Sequence, residues 1–526
     1  MAGRAKAQRR PSRSRAASPP PRDRTVASPA GPRTRRVSNA AASYYEAGAV
    51  TRRTAGWRAP TTSANAGVLA NLTTLRDRSR AATRNDGYAK GVIDKLVAAV
   101  IGTGIKPLSQ AYDPLTGAPD SEFRRAVQAL WLRWTDESDA DGLLDWYGQQ
   151  AQATRTWFEG GETFARLRLR LPTDGLSVPL QVQLLEPEFC PHTYSVWNPV
   201  APIRAGIEFN KIGRRTAYYF YPSRPELDDM DVSQVRRVPA ESVVHLYDPQ
   251  RPGQLRGLPH LTQALIELYE LDKYEDATLL RQQIANLFVA FLKRPPLMGD
   301  AATLNPLTGL EVETSTDSKP MASLEPGIFQ ELDPGEDVAW SSPPAANGYA
   351  EFVRQCLYGA CAAAGIPYEL LTGDMRGVND RTVRVLVNEF RSRVQMWQHN
   401  IIAYQLCRPV WKAWMDRVFF SGALPIPPAY LTDPTPWTAV KWTPPRVPYI
   451  QPVQDIEAQR AAIRAGLTSR SATVSEYGED AEAIDAEQQI DNERADRLHL
   501  VYESDGRQPI GKGTAEAAPA AAAAGA

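Results

Sequence analysis

A chain of 526 residues, 43% apolar and 23% charged, has room for about two to four domains around a sizeable core. Lys plus Arg equal Asp plus Glu at 60 each, which excludes a protein that holds nucleic acid by overall charge attraction. Its 43 prolines call for many short segments and turns.

Charge is unevenly spread along the chain. Residues 1–36 hold eleven Lys or Arg against one acid, Asp23, and almost no large apolar side chain. Such a stretch buries too little surface to offset the entropy of ordering, so residues 1–42 read as a disordered basic arm. A helical pattern runs from Asn71 to Ile101 and stops at Gly102-Thr103-Gly104. A second covers 120–135, with Phe123, Val127, Leu130 and Trp134 on one face, and a third follows over 146–158.

The period then changes from helical to alternating. ETFARLRLRL and VPLQVQLLEP read as half-buried strands with LPTDGLS as their turn, and IRAGIEFN, RTAYYFY and SVVHLYD continue a β-rich section to Asp248. Leu261–Leu292 reads as one long helix ended by Pro295-Pro296. Residues 295–345 are punctuated by Pro and Gly, with strand-like GIFQEL and DVAWSS. Helix returns from Tyr349 to Gly365, rich in small residues.

A polar loop follows: Thr372, Gly373, Asp374, Met375, Arg376, Gly377, Val378, Asn379, Asp380 and Arg381. After it Val383, Leu386, Phe390, Val394, Trp397, Ile401 and Tyr404 mark a second long helix, with Asn379 or Asp380 as its cap and a kink expected at Pro409. A strand pair near Trp437–Trp442, a Pro-rich linker and a last helical section precede an Ala-rich tail, residues 506–526. The fold class is α+β, predominantly helical.

Motifs for chemistry are scarce. GRQPIGKGT at 506–514 has Lys512 but places Gly513 where a phosphate loop needs a hydroxyl, and no helix pattern follows. The five histidines never pair at ligand spacing, and His245, inside a strand, reads as a core or hydrogen-bonded residue. Cys190, Cys356, Cys361 and Cys407 lack metal-site spacing and read as free thiols. Asp374 and Asp380 are the loop's candidates for an acid/base pair, but with no histidine or metal-ligand cluster beside them they read as solvated carboxylates. Trp397, Trp411 and Trp414, at helical spacing, read as packing residues. No catalytic residue, metal or cofactor is expected, and neither a membrane span nor a secretory signal is visible.

Four separated blocks resemble one family: RDRSRAATRNDGYAKGVIDKLVAAVIGTGIKP, HLYDPQRPGQLRGLPHLTQAL, GIPYELLTGDMRGVNDRTVR and WTPPRVPYIQPVQDIEAQRAAIRAGLTSRSATVSEYGED. Together, in this order, they are similar to the lambda-type portal proteins of tailed bacteriophages, from about residue 40 to 500. One departure is Asp380-Arg381-Thr382, where the family carries an aromatic and small hydroxyl residues after the loop's asparagine.

The resemblance implies a ring of about twelve subunits at one capsid vertex, with double-stranded DNA passing through it during packaging and ejection. It implies an α+β wing (43–260), a stem of two helices (261–294 and 346–371), a β-containing clip (295–345), a tunnel loop (372–381), a kinked helix with returning wing strands (382–450) and a helical crown (451–505). Implied partners are the terminase large subunit, the major capsid or scaffold protein and a head-completion or neck protein, with no membrane. The implied location is the virion, after assembly in the bacterial cytoplasm. Two other readings stay open: a monomeric DNA-binding adaptor working through its basic arm, and a packaging motor or nuclease subunit.

Overall fold

The structure is a computed structural model describing residues 60–223, 234–285, 290–293, 329–332, 348–445, 452–502 and 505–507, with positions 52, 56 and 57. The chain divides into two units, Met1–Thr61 and Thr62–Ala526, and every element below belongs to the second. The basic arm, most of the segment 295–345 and the tail from 508 lie outside the described residues. The fold is mixed α+β with helix dominant.

Three helices open it: α1 (Ala64–Leu69), α2 (Leu72–Asn85) and α3 (Gly87–Val100). The continuous helix expected over 71–101 is broken at Asp86. Its backbone is extended, and its carboxylate accepts from the amides of Tyr88 and Ala89, satisfying two orphan donors at the start of α3. After β1 (Lys106–Ser109) come α4 (Ser121–Glu137) and α5 (Trp146–Gly160), close to where periodicity puts them. Then β2 (Glu162–Leu169), β3 (Leu180–Leu185), β4 (Ile203–Arg204), β5 (Ile207–Phe209), β6 (Arg215–Phe220), β7 (Arg236–Pro239) and β8 (Val243–Tyr247) form two antiparallel sheets, ordered β3-β2-β8 and β4-β5-β6-β7.

The expected helix 261–292 is shorter. A 3-10 turn occupies His260–Gln263, α6 spans Leu265–Ala285, and Ala290–Lys293 is a strand, β9, paired in parallel with β10 (Phe329–Leu332). The β-branched and aromatic content of the expected helix's last turns suits a ladder, and pairing with residues about forty positions on overrides the helical period. Next come α7 (Tyr349–Ala364), α8 (Tyr368–Thr372) and α9 (Asp380–Trp397).

At Pro409 the long helix is accommodated without a break. Residues Gln398–Cys407 are wound as a π-helix, and α10 (Arg408–Ser421) follows with Pro409 in its first turn. The buried residues Val394, Gln398, Ile402, Leu406, Val410, Trp414 and Val418 step by four. In an α-helix each such step drifts about 40° off the core, and the wider π turns between Gln398 and Cys407 offset part of that drift. Tyr404, expected on the buried face, is consequently 62% exposed.

The strand pair expected near 437–442 is instead a short helix, α11 (Thr435–Thr438), and one strand, β11 (Val440–Thr443). Its partner is the distant β1, with Lys106 opposite Thr443. The helices α12 (Pro452–Arg464), α13 (Arg470–Glu476) and α14 (Ala481–Leu498) complete the described chain. Among the described residues, no helix is long and apolar enough to cross a membrane.

Two cores result. In the larger, one face of β3-β2-β8 packs on helices, with Trp131 central: its ring lies 4.9 Å from Trp134 and 5.1 Å from both Trp411 and Trp414. In the smaller, Phe164 on the other face of β2 meets Tyr218 and Phe220 of the second sheet at 5.8 and 5.2 Å.

Between them sits Glu162, fully buried. One carboxylate oxygen accepts from Arg76 of α2 at 2.5 Å and Arg256 Nε at 2.6 Å; the other accepts from the Gly257 amide and meets His245 Nε2, both at 2.9 Å. Arg256 also donates to the carbonyls of Cys190, Ala205 and Pro187. Burial alone would raise the Glu162 carboxyl, but Arg256 and Arg76, with the His245 hydrogen bond, hold it well below the usual carboxylate range. Burial pushes His245 down to about 4, so the ring is neutral at pH 7. One tautomer serves both neighbours: Nε2–H donates to Glu162, and Nδ1 accepts from Arg215 at 3.0 Å. The close approach also needs glycine. A Cβ on Gly257 would stand 1.9 Å from the Gly161 carbonyl oxygen, and Gly161 itself has φ +87°.

Glu162→Gln leaves two buried guanidiniums without a counter-charge and should cost about 3–5 kcal/mol, read as a lowered denaturation midpoint. Stability should also fall as pH drops from 6.5 toward about 4, where unfolded His245 takes a proton that the folded ring refuses. The expected loss from this group is about 3 kcal/mol, and denaturant titrations across that window should show His245→Gln with a shallower slope.

Candidate functional site

The loop 372–381 is held between two helices of different origin. Helix α7 packs against α6 through Tyr274, whose ring lies 5.8 Å from Tyr349 and 4.6 Å from Phe352. Gly359 permits the contact: a Cβ there would come within 2.5 Å of the Glu267 carboxylate. Helix α7 ends on Gly365 and α8 on Gly373, both with positive φ near 72°, so the chain reverses twice in a few residues.

Asp374 then turns back onto the scaffold. It accepts from Arg354 Nη2 on α7 at 2.9 Å and from Arg376 Nε and Nη2 at 2.8 Å, and the Tyr368 hydroxyl lies at 3.4 Å. Arg376, with Arg354, keeps its carboxyl well below the usual carboxylate range. Asn379 closes the loop as the N-cap of α9, accepting from the amide and hydroxyl of Thr382 at 2.9 and 3.0 Å. Thr372 bonds back to the Tyr368 carbonyl at 2.9 Å.

The ten predicted residues therefore divide. Thr372, Asp374 and Asn379 fix the ends. Gly373, Met375, Arg376, Gly377 and Arg381 face solvent, Val378 is half-buried, and the side chain of Asp380 lies outside the description. The anchor Arg354, twenty residues upstream, carries no local sequence signal.

Beside the loop lies a cleft of about 760 Å³ lined by Asp86, Tyr88, Asp272, Glu275, Tyr349 and Arg354 among others. Burial, and then Asp272, raise the carboxyls of Asp86 and Glu275. Among the described residues no three His, Cys, Asp or Glu stand where they could hold a metal ion. His245 and the three tryptophans are taken up in cores, and the four cysteines are free.

The family model described as phage portal protein, lambda family, matches residues 50–398, from before α1 through α9 and including the whole loop. This chain belongs to that family. A curated relative, the probable portal protein of Halomonas phage phiHAP-1, is 23% identical over 438 residues, covering 81% of each chain. Portal protein B of Escherichia phage lambda is 19% identical over 460 residues, covering 82% of this chain and 86% of the relative. A chain in the solved virion of a native gene transfer agent particle aligns over 78% of this chain and 93% of its own, at 14% identity and a TM-score of 0.38. So loose a superposition adds no weight to the assignment. In this portal-family chain, sequence reasoning missed the anchors that hold the loop. Arg76 was detectable, because it shares the buried face of α2 with Leu72, Ser79 and Thr83.

Arg354→Gln should free Asp374 from α7 while leaving the Arg376 contact. Hydrogen exchange of the amides of residues 373–379 should speed up several-fold, and those of α9 beyond Arg384 should not change.

Proposed function

We propose that copies of this chain close into a ring at one capsid vertex and conduct double-stranded DNA, with the loop 372–381 lining the passage. The observation that carries the ring is the α6–α7 pair. Leu268, Leu271 and Leu357 are buried within the subunit, yet Ile266, Tyr269, Leu279 and Leu280 of α6 and Phe352 and Tyr358 of α7 are exposed, several by more than half. A helix pair apolar on its outward side as well as its inward side suits burial against neighbouring copies. In this reading α6 and α7 are the stem, residues 295–345 the clip, residues 43–260 the wing and α12–α14 the crown.

A wall around a moving polyanion must avoid strong phosphate neutralisation, which would resist sliding. The loop meets that demand by pairing Arg376 with Asp374, and contacts without base readout serve a sequence-blind passage. The chain acts as a structural conduit and not as an enzyme. Energy for transport comes from a terminase large subunit docked at the clip, and the other partners are a major capsid or scaffold protein and a head-completion protein. It assembles in the bacterial cytoplasm and resides in the virion.

Native mass and electron microscopy of the purified protein should give a ring of about twelve subunits, and Leu279→Glu with Leu280→Glu should reduce it to monomers of unchanged helicity. A wild-type monomer that persists at high concentration would overturn the ring and favour an adaptor; deleting residues 1–36 would then abolish most of its DNA affinity.

A further inference from the structure

The face of β2 that carries Phe164 into the small core carries, at the same alternation, Arg166 and Arg168, followed by Arg170 just past the strand's end. All three are half-buried. The second sheet adds Arg236, which stands opposite Phe220 on the β7 side that faces Phe164. Where the two sheets part, four arginines from both thus share one open end.

Their surroundings hold them outward without neutralising them. Arg168 donates to Gln183 Oε1 at 2.9 and 2.5 Å, and Arg170 Nε donates to Gln181 Oε1 at 2.8 Å. Gln181 is itself fixed by donating to the carbonyls of Glu137 and Asp139 at 3.0 Å. A neutral amide oxygen orients a guanidinium and leaves its charge intact. Among the described residues, the side chains of Arg166 and Arg236 have no hydrogen-bond or ion-pair partner. After burial, it is Arg236 that lowers the Arg166 pKa, and Arg166 and Arg170 that lower that of Arg168, against a single opposing acid, Asp141. Asp174 is engaged at the hairpin with the Leu171 amide, and Glu208 with Arg237. The acids Glu226, Asp228, Asp229 and Asp231, which precede β7, lie outside the described residues.

We infer that this arginine row is a binding surface for the phosphodiester backbone of duplex DNA, separate from the 372–381 loop. Alternate residues of a strand are about 6.7 Å apart, so Arg166 and Arg168 with Arg170 just past the strand's end form a single file about 13 Å long. Guanidinium forks suit phosphate oxygens. A protein partner would want an apolar anchor at the centre of its contact, and the exposed side chains along this row are arginine and glutamine: Val243, opposite Arg166, is buried, and Ala165, Leu167 and the exposed Leu169 alternate onto the opposite face. Backbone contacts to DNA are polar and wet. The inference rests on the conduit reading only in taking duplex DNA as the polyanion this protein meets.

The full-length protein, in the assembly it forms, is titrated with a fluorescent closed circular duplex, which cannot thread a closed ring, over about 50 to 200 mM salt. The basic arm is present throughout and cancels in the comparison. R166Q/R168Q/R170Q should flatten the log K against log salt slope by about 2 to 3, and R166K/R168K/R170K should keep most of it. If the triple Gln variant fails to fold, R170Q alone should flatten the slope by about 0.9. A folded Gln variant with an unchanged slope overturns the proposal and leaves an acidic protein as the occupant. Equal loss in the Lys variant also overturns it. Native mass on the same samples separates the two readings. A monomer that shows the slope change keeps the surface and loses the ring, whereas a ring with no change does the reverse.

Discussion

A carboxylate with no access to water organises this subunit. Glu162 stands at the first residue of β2, where α5 hands over to the sheet, and its partners come from α2, from β8 and from the loop before His260. Moving such a group out of water costs several kcal/mol unless nearly every lone pair is met, so any packing that misplaces one partner is penalised. Arg256 extends the same constraint into the second sheet through three backbone carbonyls. The network's net stabilisation is modest, since ion pairs of this kind roughly repay their desolvation. Its larger effect is on specificity: helices, first sheet and second sheet have one arrangement that satisfies it.

What could be read from the residues follows from how local each determinant is. Helices α4 and α5 and the strands β2 and β3 have their apolar period and their turns within a few residues, so they stand close to where the pattern puts them. The hub was not legible as a unit: the helical phase of Arg76 and the strand setting of His245 point inward, but positions 76, 162, 245 and 256 are far apart and nothing in the sequence links them. Strand β11 was misjudged for a similar reason, its partner β1 lying more than three hundred residues earlier. The end of α6 fails differently: a helical period continues through Phe291, and only the pairing with β10 reveals a strand.

The loop was visible as a polar, glycine-marked break, and its fixity was not. Its charges look balanced and free in the sequence, yet Asp374 is tied by Arg354 to the body of α7. Because α7 packs on α6 through Tyr274 and Gly359, the loop's position is set by the helix pair, and a shift of one carries the other.

The π-wound stretch has a consequence for how this sequence tolerates change. Between Trp397 and Arg408 the phase of the rod depends on how many residues are present more than on which they are. Exchange of one aliphatic for another there alters packing by a methyl group or two. Loss or gain of a single residue turns everything downstream about 100° around the axis, swinging Trp411 and Trp414 away from Trp131. Length, not composition, is the inherited quantity in this segment, much as tooth count matters more than alloy in a gear.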